Sequence, residues 1–439
     1  MTRPRLQAGE AFAWLDSHVN LETGVGPSRR RIDTPTLERA RTLVEYLGSP
    51  QLEYPAVHLT GTNGKTSATR MIGELLATEG LSVGAYTSPH LERMNERMTW
   101  NGTPISDEEL VEILDLLAVV ESTMSDVPTW FELVTAAALK WFSDVAVEAA
   151  VVEVGVGGTW DATNVIDGRV AVVTNVSLDH VEYLGPTRES IARDKAGIIR
   201  PGAALVLGET DPELRPIFLE RGPGEVWLRD LDFGVRSEQV AHGGRLVHLY
   251  TPGGEHPHVL LPLHGAYQAE NAAVALAAAE MFLGTPLGAD VVREGFARVQ
   301  SPGRLEVVGH QPLVLLDGAH NVAGAHALRH ALAEEFAPGP RTLVVGLLRG
   351  KEPSEMLEAL GVPDVARLVC CRPPTPRALE PDLLASAALE LGLAMDRVEI
   401  VDEVDEAVEH ALEVTPADGQ VVVAGSLYVV GAARHTLVH

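Results

Sequence analysis

The chain has 439 residues, too many for one average core, and its 46% hydrophobic and 22% charged content is that of a globular, soluble protein of two domains. A formal net charge of −27 argues against nucleic acid and membrane surfaces as partners, because both present dense negative charge. No apolar run approaches the about 20 residues that cross a bilayer, and the opening Met1-Thr2-Arg3-Pro4-Arg5-Leu6 lacks a signal-peptide core, so a cytoplasmic location is expected.

In chain order, the first informative element is the apolar stretch Ala56-Val57-His58-Leu59-Thr60, which predicts a strand. It runs into Gly61-Thr62-Asn63-Gly64-Lys65-Thr66-Ser67, and then into a helical pattern with Met71, Ile72, Leu75 and Leu76 on one face and Gly80 as its stop. A glycine-lysine-hydroxyl motif between strand and helix suits phosphate. Small residues let backbone N–H groups curl around the anion, Lys65 reaches the β- and γ-phosphates, and a hydroxyl meets Mg²⁺. Leu59 stands where a full Walker A motif has its first glycine, so the match is to the second half of that motif. ATP is the expected nucleotide.

Val83 to Thr87 predicts the next strand, and Ser106-Asp107-Glu108-Glu109 and Thr129-Trp130-Phe131-Glu132 each open a helix with a capping box; Leu110, Ile113, Leu114 and Leu117 share a face of the first. The strand Ala149 to Val154 carries Glu153 at its end, before Gly155-Val156-Gly157-Gly158. Ligands of open α/β sheets gather beyond the carboxyl ends of strands, so this carboxylate is placed to hold Mg²⁺. A dinucleotide-binding Gly-x-Gly-x-x-Gly is excluded because Trp160 occupies its third glycine position. The strand Val170 to Asn175 leads to Asp179 and His180, and the next helix carries Lys195. From spacing alone, Asp179 and His180 read as capping and packing residues, and Lys195 as an ordinary surface lysine.

After the strand Ala204 to Leu207, glycine pairs between Leu228 and Pro262 suggest a small antiparallel excursion, and the alanine-rich Ala266 to Phe282 reads as a buried helix. The pattern breaks at Gln300-Ser301-Pro302-Gly303. A second alternation follows, with strands at Leu313 to Leu316, Thr342 to Leu347, Leu368 to Cys371, Val398 to Val401 and Val421 to Ala424. Adjacent Cys370 and Cys371 suit neither zinc nor a redox pair and read as reduced core residues, and Asp402-Glu403-Val404-Asp405-Glu406 as a solvated helix start.

The ordered set of motifs resembles the folylpolyglutamate synthase and dihydrofolate synthase family, in the Mur-ligase superfamily of ATP-dependent amide-bond-forming enzymes. The matching segments are Gly61-Thr62-Asn63-Gly64-Lys65, Thr87-Ser88-Pro89-His90-Leu91, Phe131-Glu132, Glu153-Val154-Gly155-Val156-Gly157-Gly158, Asp161-Ala162-Thr163-Asn164, Leu178-Asp179-His180, Lys195-Ala196-Gly197-Ile198-Ile199, Tyr267-Gln268-Ala269-Glu270-Asn271, Pro302-Gly303-Arg304, Asp317-Gly318-Ala319-His320-Asn321 and Ala424-Gly425-Ser426. Thr159 and Trp160 depart from the residues common there, which leaves the substrate loop open; Thr66 replaces a frequent glycine and is closer to a conventional P-loop.

The resemblance implies an α/β fold: an N-terminal P-loop-type domain over residues 1–299 with a mostly parallel sheet and a substrate-loop region, and a smaller Rossmann-like glutamate-ligase domain over 304–439. It implies ATP on Gly61 to Ser67, with Asn271, Arg304, Asp317 and His320 also at the nucleotide. Ser88, Glu153 and His180 would ligate Mg²⁺, and Lys195 matches a lysine carbamylated by CO₂ that supports a second Mg²⁺. Lys65, Lys195, His180, Asp317 and His320 are the implied catalytic set, and Ser426 lies on the glutamate side. The basic Arg29-Arg30-Arg31 and the helical Leu37-Glu38-Arg39-Ala40-Arg41 read either as solvated chain or as contacts for an anionic pterin-glutamate tail.

The implied reaction is ATP-dependent addition of L-glutamate to a pteroate or folate through an acyl phosphate, with both acceptors served by one chain. The domains would close about Gln300 to Gly303, and a monomer is expected. Two alternatives stand beside it: a Mur-type ligase for a cell-wall precursor, against which the Ser88-Pro89-His90 and Asp317 to Asn321 blocks speak, and a non-catalytic ATP-binding regulator, which has no need of Lys65, Glu153, His180 and Lys195 together.

Overall fold

The computed structural model describes residues 6–20, 22 and 36–438. The triple arginine Arg29 to Arg31 therefore lies outside the described residues. The chain forms two units: the first holds the described residues up to Gln239 with Leu246–Leu261 and Ala269–Val299, and the second holds Val240–Arg245, Pro262–Gln268 and the chain from Gln300.

The first unit is built on eight strands, β1 (Ala56–Thr60), β2 (Val83–Tyr86), β3 (Met98–Trp100), β4 (Thr103–Pro104), β5 (Ala149–Glu153), β6 (Gly168–Val173), β7 (Ala204–Leu207) and β8 (Val226–Leu228), in the order β4-β3-β2-β5-β1-β6-β7-β8. The pairs from β2 to β8 are parallel, and the β2–β3 and β3–β4 pairs are antiparallel. Every residue of β1 and β5 is buried, which is why both read as near-continuous apolar runs: a parallel sheet covered on two faces has no solvent side for an alternating pattern. The helix Lys65–Glu79 buries Met71, Ile72, Leu75 and Leu76.

Both capping boxes form. Ser106 Oγ accepts from Glu109 N at 3.2 Å and Thr129 Oγ1 from Glu132 N at 3.2 Å, with the glutamates answering to the Ser106 and Thr129 N–H groups. The helices they start, Asp107–Glu121 and Trp130–Asp144, pack Leu110, Leu114, Leu133 and Phe142 into one cluster with Val152 of β5.

Strands β9 (Gly234–Ala241), β10 (Gly244–Thr251) and β11 (Gly254–Leu261) form a separate three-stranded sheet in sequential order. Their two-residue connections make it an antiparallel meander. The alanine-rich helix Tyr267–Leu283 follows, with Ala272, Ala273 and Ala275 to Ala279 fully buried.

The second unit carries β12 (Glu306–His310), β13 (Leu313–Leu316), β14 (Arg341–Val345), β15 (Arg367–Cys370), β16 (Val398–Ile400) and β17 (Gln420–Ala424), in the order β12-β13-β17-β14-β15-β16. Only the β12 edge pairs antiparallel. Its core joins Leu315, Leu343, Leu368, Cys370 and Val422. Cys370 and Cys371 are free and buried, and burial pushes the Cys370 thiol up to about 12. The acidic run opens the helix Val404–Val414 as expected.

Several strands end one or two residues before their apolar runs do. Thr87 leaves the sheet after β2, Val154 after β5 and Thr174-Asn175 after β6, because these residues turn to build the loops at the carboxyl ends of the strands.

Candidate functional site

In the first unit, β1 delivers Gly61 to Gly64 onto the start of the helix Lys65–Glu79, flanked by the ends of β5 and β6. Two glycines here have no substitute. A Cβ on Gly61 would stand 1.8 Å from Thr174 Oγ1, and Gly64 has φ +83° with Asn271 Oδ1 2.2 Å from where its Cβ would be. Gly64 is also the residue before the helix and brings no side chain to cap the first turn, where the N–H groups of a helix start favour an anion.

The segment after β6 holds the loop in shape. Asn63 N donates to Asn175 Oδ1 at 3.0 Å, Thr174 Oγ1 donates to Asn63 O at 2.7 Å, and Ser177 N donates to Thr62 Oγ1 at 2.9 Å. Lys65 Nζ is folded onto its own loop, donating to Gly61 O at 3.0 Å and Thr62 O at 3.2 Å. Those acceptors are neutral carbonyls, and an anionic phosphate oxygen makes a bond about twice as strong. Asn271, from the helix Tyr267–Leu283, is buried over Gly64.

Glu153 is almost fully enclosed at 1% exposure, an acid that needs partners, and it has them. Thr66 Oγ1 donates to its Oε1 at 3.0 Å, and Ser88 N points at its Oε2 from 3.4 Å. Thr66 Oγ1 and the Glu153 carboxylate thus meet as oxygen donors beside the phosphate loop, with the Ser88 backbone against the same acid. Among the described residues no three His, Cys, Asp or Glu side chains cluster as a metal cage. A hard cation such as Mg²⁺, held by one carboxylate, hydroxyls, phosphate and water, fits this donor set. His180 sits in the left-handed region at φ 50° before the short helix Val181–Leu184, and its N–H donates to Asp179 Oδ1 at 2.9 Å.

Lys195, which spacing alone reads as a surface lysine, is buried, because the helix Arg188–Lys195 turns its last residue inward. Its Nζ donates to Gly61 O at 2.7 Å, sharing that carbonyl with Lys65. Burial, and then the Lys65 ammonium, push the Lys195 amine down to about 7, against the pull of Asp194, Asp179 and Asp161.

Asp161 is a further buried acid at this end of the sheet. It accepts Thr163 N at 3.0 Å and Thr163 Oγ1 at 2.5 Å on one oxygen and Val156 N at 3.1 Å on the other. Burial pushes its carboxyl up and these bonds oppose that. Thr163 Oγ1 also meets His58 Nε2 at 2.9 Å, tying the relay to the middle of β1. Asp161 and Thr163 stand in one of the matching segments without an implied role; their signal in the sequence is two polar residues in a glycine-rich, otherwise apolar neighbourhood.

Arg39 is paired within the fold. Its guanidinium lies on both oxygens of Glu132, at 3.1 and 3.0 Å.

In the second unit, Asp317 follows β13, and its oxygens accept Leu305 N at 2.8 Å and Ala319 N at 2.9 Å. Burial pushes its carboxyl up, while Arg304 and then those backbone bonds hold it down. Tyr267, which stands in one of the matching segments but had no role assigned from sequence, belongs to the same charge neighbourhood. His320 Nδ1 donates to Gly318 O at 2.8 Å. Ser426 is buried after β17, where its Oγ accepts Tyr428 N at 3.2 Å and caps the helix Leu427–Val438.

Comparison with known proteins joins these observations. Residues 59–279 match the Mur ligase middle domain and residues 303–427 the Mur ligase glutamate ligase domain. The chain is 40% identical to a dihydrofolate synthase/folylpolyglutamate synthase of Mycobacterium tuberculosis, over 92% of this chain and 90% of that protein. Its fold is similar to that of the Mycobacterium tuberculosis folylpolyglutamate synthase complexed with ADP, with a TM-score of 0.90 at 39% identity and 98% of each chain covered. It is also similar to E. coli FolC in complex with DHPP and ADP, with a TM-score of 0.85 at 29% identity and 98% of each chain covered.

Proposed function

The chain belongs to the folylpolyglutamate synthase/dihydrofolate synthase family of the Mur ligase superfamily, and from that premise we propose which of its residues carry the reaction and on which acceptors. It is an ATP-dependent amide-bond-forming ligase that adds L-glutamate to dihydropteroate or a reduced folate. An acceptor carboxylate oxygen attacks the γ-phosphorus in line as the bond to ADP breaks. The glutamate amine then attacks the acyl carbon, gives up a proton, and phosphate leaves.

The observation that carries the residue assignment is the Thr66 to Glu153 bond at 3.0 Å, which sets a buried carboxylate against the first turn after the phosphate loop. The loop N–H groups orient the triphosphate, and Lys65 exchanges its carbonyls for phosphate oxygens. Glu153 and Ser88, with His180 as the softer donor, would hold Mg²⁺, which supplies neutralisation of charge on the transferring phosphoryl group. Arg304, Asp317, His320 and Asn271 are assigned to the nucleotide and Ser426 to glutamate; the burial of Asp317 against Arg304 supports the assignment of those two residues. The depressed amine of Lys195 supports carbamylation, in which its nitrogen adds to CO₂ and a proton departs.

Both activities in one chain are the reading for acceptor range, since the Mycobacterium tuberculosis relative carries both names. The test is incubation with ATP, Mg²⁺, glutamate and dihydropteroate, tetrahydrofolate or a UDP-muramoyl acceptor. ADP and a product heavier by one glutamate residue are expected with both pterin acceptors. Product from one alone restricts the range to it, and product only from the muramoyl acceptor overturns the assignment.

A further inference from the structure

We propose that His90 donates a hydrogen bond through Nε2–H to an oxyanion of the reacting substrates, and that Arg97 is the positioning residue that fixes it as a donor. The inference rests on the ligase reading above and adds a residue to it.

Arg97 Nε lies 2.8 Å from His90 Nδ1. A guanidinium has donors and no acceptor, so Nδ1 supplies the lone pair and the ring proton of a neutral imidazole is on Nε2. Arg97 has no freedom to withdraw. It is 1% exposed, its two terminal nitrogens lie 3.0 and 2.5 Å from the Glu22 carboxylate, and its Cζ sits 4.8 Å from the Trp130 ring centroid.

The loop carrying the ring is braced along its length. Leu91, Glu92 and Arg93 N–H groups all donate to the Glu96 carboxylate, at 2.9, 3.1 and 2.8 Å, and Thr87 N donates to Arg97 O at 2.9 Å. Such bracing holds a side chain to the precision that a transition-state contact needs.

The His90 ring is only partly buried, and no described residue takes its Nε2. Two residues before it, Ser88 N points at Glu153 Oε2, while Thr66 of the phosphate loop holds Oε1 of the same carboxylate. The donor therefore stands on the loop tethered to the acid assigned to the metal. Two oxyanions gather there during the reaction, the acceptor carboxylate and the transferring phosphoryl group, and a fixed neutral N–H serves either. If the ring served only to satisfy Arg97, an acceptor at the Nδ1 position would be enough.

Two substitutions separate those demands. Asparagine places an amide oxygen near the Nδ1 position and keeps the Arg97 bond without the distal donor, whereas glutamine places an amide N–H near the Nε2 position without the Arg97 acceptor. His90→Asn is expected to unfold at the wild-type temperature and to lose kcat/KM on the order of 10²-fold. His90→Gln is expected to unfold at lower temperature yet keep kcat/KM within about tenfold of wild type.

A raised KM for the pterin acceptor alone in His90→Asn identifies the acceptor carboxylate as the oxyanion, and a lowered kcat with both KM values unchanged identifies the phosphoryl group. Wild-type kcat/KM in His90→Asn, or losses in both variants that follow their stability, overturns the donor role and leaves the ligase reading intact if the wild-type protein forms product. No product from wild type with any pterin acceptor sinks both.

Discussion

Glu153 divides its two oxygens between a helix start and a loop, Thr66 on Oε1 and Ser88 on Oε2, so its charge is what the two share. Replacing it by glutamine keeps the shape and removes the charge. Glu153→Gln should lower kcat by about 10² to 10³-fold and flatten the response to Mg²⁺ concentration, with an unchanged circular dichroism spectrum. An unaltered Mg²⁺ titration would remove the metal assignment. Lys65→Ala should abolish ligation with the fold intact, and near-normal turnover would count against the phosphate role. For Lys195, intact mass spectrometry near neutral pH should show the protein heavier by one CO₂, lost on acidification; an unmodified lysine at full activity would end the carbamylation reading. Glu153 was legible in the sequence because an isolated acid in an apolar strand demands partners. Lys195 was not legible without the family resemblance. Its burial is set by how the helix Arg188–Lys195 docks, which residue spacing does not encode.

At the scale of elements, local chemistry and periodicity carried most of the fold. The capping residues Ser106 and Thr129 each start the helix the sequence marks, and β1, β5 and β6 are the apolar runs expected of a covered parallel sheet. What periodicity missed was the function of a polar residue inside such a run. His58 is fully buried in β1, its Nε2 on Thr163 Oγ1, and burial followed by Arg200 pushes it down to about 3. An unfolded chain titrates the same ring near about 6.5. Between those values the unfolded state binds the proton that the folded state refuses, so stability present at neutral pH falls as pH drops from about 6.5 toward 3. His58→Gln, which keeps a donor at the Nε2 position and cannot titrate, should show a shallower decline of the urea midpoint across that range. An equal decline in both proteins would place the acid sensitivity in other groups. The helix caps give a simpler expectation: Ser106→Ala should cost about 1 kcal/mol in urea unfolding.

For the whole molecule, the pattern break near Gln300 says where one alternation ends, yet gives no sign that Val240–Arg245 and Pro262–Gln268 associate with the second unit. That association is tertiary and electrostatic. Arg245, 1% exposed, ion-pairs with the equally enclosed Glu335 at 2.5 Å and with the partly exposed Glu334 at 3.1 Å; Glu335 also accepts His264 Nδ1 at 2.8 Å and Gly265 N at 2.6 Å. Nothing in the order of residues announces such a cluster, because its members come from three separated stretches. Its energetics follow from burial. Removing the enclosed carboxylate leaves Arg245 with the partly exposed Glu334 as its counter-ion and takes the acceptor from His264 and Gly265, so Glu335→Gln should destabilise the second unit by about 3 kcal/mol. Glu334→Gln, whose partner keeps Glu335 and whose own side chain reaches water, should cost less than about 1 kcal/mol. Because two units need not melt together, the measurement is a calorimetric scan of the full chain with its transitions fitted separately. Equal effects of the two substitutions would mean that Arg245 is held by packing of its stem, with charge playing no part in joining these segments to the second unit.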